Sequence, residues 1–182
     1  MVDLAGLLRP ALQGVLGDVD SFGVTSLHDA IAEAAVLVAK RPVQRRAVVV
    51  LTDGVDTASR LTPAEVSATA AAIDVPVYVI ATVLSIDDPG SVRRTPQAGR
   101  TAPEGIGTIE DLARWTGGAL FYSSTSASAS LAARTLVDEL RHLYLIGFEP
   151  GSVAGWHPLE IRTRQKDMVV RARGGYVAGG GP

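Results

Sequence analysis

The sequence predicts an α/β fold, a doubly wound and mostly parallel sheet flanked by helices, with an antiparallel β extension at the C-terminal end. Three observations predict it. The runs 47–51 (Ala-Val-Val-Val-Leu) and 75–83 (Val-Pro-Val-Tyr-Val-Ile-Ala-Thr-Val) are nearly continuous and rich in β-branched residues, as in strands buried on both faces of a parallel sheet. Helical patterns alternate with them, which implies right-handed crossovers and helices covering the sheet. After residue 142 the helical pattern stops and three strand-like runs follow one another. With 182 residues, 47% hydrophobic and 20% charged, the chain can bury a core without disulfides or a structural metal.

In chain order, segment 3–16 has apolar residues at mixed helical spacing, interrupted by Pro10 and two glycines, and reads as a broken helix. Leu27, Ile31, Ala34, Ala35 and Val38 then mark one face of a helix; Ser26 with Asp29 three residues on predicts a capping box, and Pro42 a stop. After the strand at 47–51, Thr62, Pro63 and Glu65 open a helix with Val66, Ala70 and Ile73 on one side. Pro76 stands near the start of the next strand, where a missing donor is tolerated. Residues 84–104 read as a long loop with Arg93, Arg94 and Arg100 in solvent. Thr108 and Asp111 cap a short helix through Trp115, which Gly117 and Gly118 end.

A short strand at 120–123 and a Ser-rich connection at 123–130 lead to a helix with Ala133, Leu136, Val137 and Leu140 on one side. The runs 143–148, 159–163 and 168–172 complete the chain as an antiparallel meander, the middle one alternating cleanly.

The composition excludes several function classes. Lys+Arg 17 against Asp+Glu 19 leaves a net charge of -2, so no overall basic field is available to hold nucleic acid. Without cysteine there is no thiolate metal site and no cysteine nucleophile. No uninterrupted apolar run reaches the ~18 residues of a membrane span, and the first residues lack a signal-peptide pattern.

Ligands of such sheets bind at the carboxyl ends of the strands. Polar residues gather at one such end, Leu51-Thr-Asp-Gly-Val-Asp-Thr57. Asp53 directly follows the most strand-like run, where a carboxylate either binds a hard cation or caps the turn. Asp56 reads as a turn residue. Thr25, just before a helix, offers a hydroxyl, with helix capping as the competing role. Gly105 and Gly107 read as a cap rather than a phosphate loop, and His28, His142 and His157 as packing or surface residues.

Gly23-Val-Thr25-Ser-Leu-His-Asp29-Ala-Ile31, followed by Arg46-Ala-Val-Val-Val-Leu-Thr-Asp53-Gly-Val-Asp56, resembles the second and third metal loops of a von Willebrand factor type A (VWA) domain. The resemblance extends to Val75-Pro-Val-Tyr-Val-Ile-Ala81, Leu112-Ala-Arg-Trp-Thr-Gly-Gly118, Glu139-Leu-Arg-His-Leu-Tyr-Leu-Ile-Gly147-Phe and Val170-Arg-Ala-Arg-Gly-Gly-Tyr176. The last two stretches are similar to a bacterial branch of VWA-related proteins. The resemblance implies a Rossmann-like VWA fold and a metal ion-dependent adhesion site for Mg²⁺, Mn²⁺ or Ca²⁺, with Thr25 and Asp53 as metal ligands. It also implies a protein partner whose carboxylate completes the shell, and no enzymatic activity. The family's Asp-x-Ser-x-Ser motif is absent, since Asp18-Val-Asp-Ser21 lacks its spacing, so the site is expected to be incomplete and the fold N-terminally truncated.

On this reading residues 1–140 form a partial VWA-like α/β domain, residues 141–176 a β meander packed on it, and residues 177–182 a flexible tail. In the family the strand at 47–51 pairs with the first strand, so here it is expected to have an open edge that another chain or another copy can pair. Two alternative functions follow: a metal-assisted hydrolase or phosphotransferase using Asp53, and a structural subunit paired through that edge.

Overall fold

Helix α1 (Leu27–Ala39) leads into strand β1 (Val48–Thr52), and α2 (Pro63–Ala72), β2 (Val77–Thr82), α3 (Ile109–Trp115), β3 (Leu120–Ser123) and α4 (Ser126–Arg141) follow in alternation. Strands β4 (Gly155–Pro158) and β5 (Gly175–Ala178) come last. The structure is a computed structural model that describes residues 23–43, 45–53, 55–72, 74–82, 109–151, 153–165, 167–168 and 170–178. The broken helix expected at 3–16, the long loop at 84–104 with its arginines, Gly105, Gly107, Thr108, Ile73 and Val83 lie outside those residues.

The three parallel strands are ordered β1-β2-β3, with Val48 opposite Val77 and Val79 opposite Leu120. Helices cover both faces. On one, Leu27, Ile31 and Ala35 of α1, Val66 and Ala70 of α2, and Leu112 and Ala113 of α3 pack on Val48, Val77, Val79, Ala81 and Leu120. On the other, Ala132 and Leu136 of α4 pack on Tyr78, Ile80, Ala119 and Phe121. Central strand β2 is therefore buried on both sides from Val77 to Ala81, as a near-continuous apolar run requires.

Local chemistry explains the boundaries. The Thr62–Glu65 capping box forms as expected, with Thr62 N–H donating to Glu65 Oε2 at 2.8 Å and Glu65 N–H to Thr62 Oγ1 at 3.3 Å. Helix α3 closes at Gly117, whose φ of +84° suits glycine. At Gly118 an added Cβ would fall 1.9 Å from the Val77 carbonyl oxygen, so the approach of α3 to β2 requires glycine. Buried Thr116 bridges the same junction, accepting from Val77 N–H at 3.0 Å.

The structure corrects several expectations. Strand β1 is buried on one face only: Val48 is covered, whereas Val49 and Leu51 are 50% and 71% exposed. Helix α4 seals the second face over β2 and β3, leaving the β1 side chains beyond it bare. The α4 stripe is also rotated, with Ser128, Ala132 and Leu136 buried and Val137 exposed, about 100° around the helix from Leu136. The Ser-rich stretch belongs to α4 from Ser126 onward, and Thr125 with Ser128 closes a capping box there.

The expected meander is replaced by a different pairing. Among the described residues, 143–148, 159–163 and 168–172 have no strand structure, and the antiparallel pair is β4 with β5, Trp156 opposite Val177. Val177 and Ala178, expected in the tail, are strand residues. Two close approaches set this pairing: a Cβ at Gly174 would lie 2.4 Å from the Trp115 ring, and one at Gly175 2.4 Å from the Trp156 ring. Trp115 and Trp156 meet edge to face at 5.6 Å. Arg171 pairs with Glu139 of α4 and lies over the Tyr78 ring, and Arg173 reaches Asp74 at 3.3 Å, so the C-terminal segment is bound to the α/β layers.

Candidate functional site

The loop before α1 and the loop after β1 meet at the carboxyl end of β1. Thr25 N–H donates to Thr57 Oγ1 at 2.8 Å, and the Thr25 carbonyl accepts from the N–H groups of Thr57 at 2.9 Å and Ala58 at 3.1 Å. These bonds use the Thr25 backbone only. Its hydroxyl makes no hydrogen bond among the described residues, and both Thr25 and Asp53 are exposed. Asp53 Oδ1 accepts from Val55 N–H at 3.2 Å, an Asx turn that orients the carboxylate and leaves Oδ2 to solvent.

Beside this pair lies a network that sequence reasoning missed. Ser26 is the N-cap of α1 but makes no side-chain cap, and the expected Ser26–Asp29 box is absent. The orphan N–H groups at the second and third positions of α1 are capped from the other loop. His28 N–H donates to Asp56 Oδ2 at 3.0 Å and to Ser59 Oγ at 2.9 Å, and Asp29 N–H donates to Ser59 Oγ at 3.2 Å. Asp29 returns the favour across the gap, accepting from Arg60 N–H at 3.1 Å and Leu61 N–H at 2.9 Å. Asp56 is thus more than a turn residue: its charge sits at the positive end of the α1 dipole.

The electrostatics follow from these donors. The Ser59 hydroxyl, first, and the backbone N–H groups of His28 and Ser59 hold the Asp56 carboxyl well below the usual carboxylate range against partial burial. The Leu61 and Arg60 N–H groups lower Asp29 in the same way. Both remain anionic at neutral pH.

Asp56, Ser59 and His28 are the residue types of a nucleophilic triad, but their connectivity is different. The Ser59 hydroxyl donates to Asp56, and His28 Nδ1 approaches Asp56 Oδ2 at 3.2 Å, so no imidazole takes the serine proton. The arrangement binds two loops together. As for a metal, Thr25 and Asp53 supply one hydroxyl and one carboxylate, hard oxygen donors of the kind Mg²⁺ prefers. Among the described residues no three His, Asp or Glu side chains gather as a cation cage.

No family model matches the chain, and no curated protein matches it. Among solved structures, it is similar to an uncharacterized membrane spanning protein from Vibrio fischeri at 18% identity and a TM-score of 0.36. The match covers 72% of this chain and 66% of that chain, just under two thirds of its length, and at this TM-score it carries no argument. Among the described residues, no helix is long and apolar enough to cross a membrane.

Proposed function

We propose that this chain is a non-enzymatic protein-binding module of the VWA type, with its doubly wound, Rossmann-like sheet, and that its partner engages the carboxyl end of β1. The observation that carries the reading is the pairing of the two loops: the Thr25 backbone is tied to Thr57 and Ala58, four and five residues after Asp53 in the same loop, while Thr25 and Asp53 themselves stay exposed. Loops held by this many hydrogen bonds present donors with little ordering left to do on binding. Thr25 and Asp53 would then supply two oxygen ligands to Mg²⁺, Mn²⁺ or Ca²⁺, the partner's carboxylate and water adding others.

Two protein ligands make a weak site. Affinity for Mg²⁺ is expected to be no tighter than roughly millimolar, as for other sparse oxygen-ligand sites. Titration calorimetry with Mg²⁺ and Mn²⁺ checks this: weak heats lost in Asp53→Ala support the reading, and micromolar binding unchanged by Asp53→Ala refutes it. Turnover of generic phosphoesters that disappears in Asp53→Asn would instead establish the hydrolase alternative.

A further inference from the structure

We propose that the outer edge of β1 pairs with β1 of a second copy of this chain, antiparallel, about a twofold axis through Val50. The inference does not rest on the binding-module reading. Val48 N–H donates to the Pro76 carbonyl at 3.0 Å, so by strand alternation the backbone groups of residues 48, 50 and 52 face β2 and those of Val49 and Leu51 face outward. Among the described residues β1 has a strand on one side only. An exposed apolar edge of this kind is a template for another strand.

The register follows from the side chains. Centring the pair on Val50 sets Val49 opposite Leu51 of the second copy, and each such pair exchanges N–H···O=C bonds in both directions. It also keeps both exposed side chains on one face, where cross-strand apolar pairs form; a slip by one residue would split them between faces.

Charge selects a second copy as the occupant and antiparallel as the direction. At the head of the strand Arg45, with Arg141 and His142, lines a groove of about 390 Å³ closed by Leu143, Tyr144 and Leu145. At its tail is the exposed carboxylate of Asp53. A parallel pair would set Arg45 beside Arg45 and Asp53 beside Asp53. The antiparallel pair brings the cationic head of each copy to the acidic tail of the other, twice by symmetry. In this register Arg45 stands opposite Val55 and Ala47 opposite Asp53 of the other copy, so Arg45 and Asp53 are diagonal neighbours across the pair.

The test is sedimentation velocity with light scattering on the full chain over a wide concentration range, with circular dichroism on every variant. The expected result is twice the chain mass, reduced to one chain by Leu51→Lys, which alters a side chain already in solvent. Val49→Pro, which deletes an outward N–H and spares the β2 ladder, should do the same. Arg45→Asp should weaken association between a few-fold and roughly tenfold, the effect of two surface ion pairs, and the double variant R45D/D53R should restore it. A single-chain mass at every concentration overturns the proposal, as does a twofold mass that L51K leaves unmoved. A double variant no better than R45D overturns the antiparallel register.

Discussion

The two sides of β1 are built on opposite terms. Toward α1 and α2 its Val48 is buried, and beyond its carboxyl end the chain is tied to the start of α1 by Asp56, Ser59 and Asp29. On the other face Val49 and Leu51 meet solvent, and among the described residues the strand's outer edge has no partner. Five residues of similar chemistry thus serve stability on one side and surface on the other. What separates them is the reach of α4, which covers β2 and β3 only.

The largest expected effect contrasts two leucines. Leu112→Ala, in the packed face, should cost about 2–5 kcal/mol, whereas Leu51→Ala, measured at a concentration low enough to keep the chain single, should change stability by no more than ~0.5 kcal/mol. Urea denaturation of both variants decides whether the two sides differ as described; equal losses would break the comparison.

Next in size is the cap supplied across the loops. Ser59→Ala removes the acceptor of two α1 N–H groups and should cost about 1 kcal/mol, while Ser26→Ala, at a cap position that makes no bond, should be nearly silent. Thermal melts of the pair would reverse that order if α1 were capped locally. The cap also predicts a pH profile. Asp56 and Asp29 have folded values below the ordinary 3.8, so their contribution is fully present above about pH 4 and is lost as the pH falls through their lower folded values. Asp56→Asn should lower stability by a constant amount from pH 5 to 8 and flatten the acid limb, so that variant and parent converge as the pH falls. The smallest effect is expected at Asp53→Ala: stability within ~0.5 kcal/mol of the parent, because its carboxylate caps a single exposed N–H.

Legibility in the sequence tracks how local the cause is. The Thr62–Glu65 box and the glycine stop after α3 are readable because each is fixed by neighbours within a few residues, and strand β2 because its nearly continuous apolar run matches its central place in the sheet. The cap on α1 was not, since Asp56 and Ser59 lie 28 and 31 residues from His28 and only folding brings them there. Ser26 and Asp29 have capping-box spacing, yet Asp29 serves the other loop instead. The one-sided burial of β1 was hidden for a related reason: a Val-Val-Val-Leu run reads as buried, and whether a helix reaches it depends on where α4 docks. At the C-terminal end, the clean alternation at 159–163 pointed to a strand there, while Gly175 in β5 is a residue type that weakens strands. It is accepted because the Trp156 ring leaves no room for a Cβ. Thr25 and Asp53 are candidates that the sequence alone offers, and the structure leaves both exposed; the bonds that hold their loops together are not readable from the sequence.

The claim that Thr25 and Asp53 form one cation-dependent face is tested most directly by Mn²⁺ titration of the amide spectrum of the isotope-labelled chain. The account predicts paramagnetic broadening centred on residues 25–26, 53 and 55–57, absent in Asp53→Ala. Broadening centred elsewhere, or identical in Asp53→Ala, would contradict it.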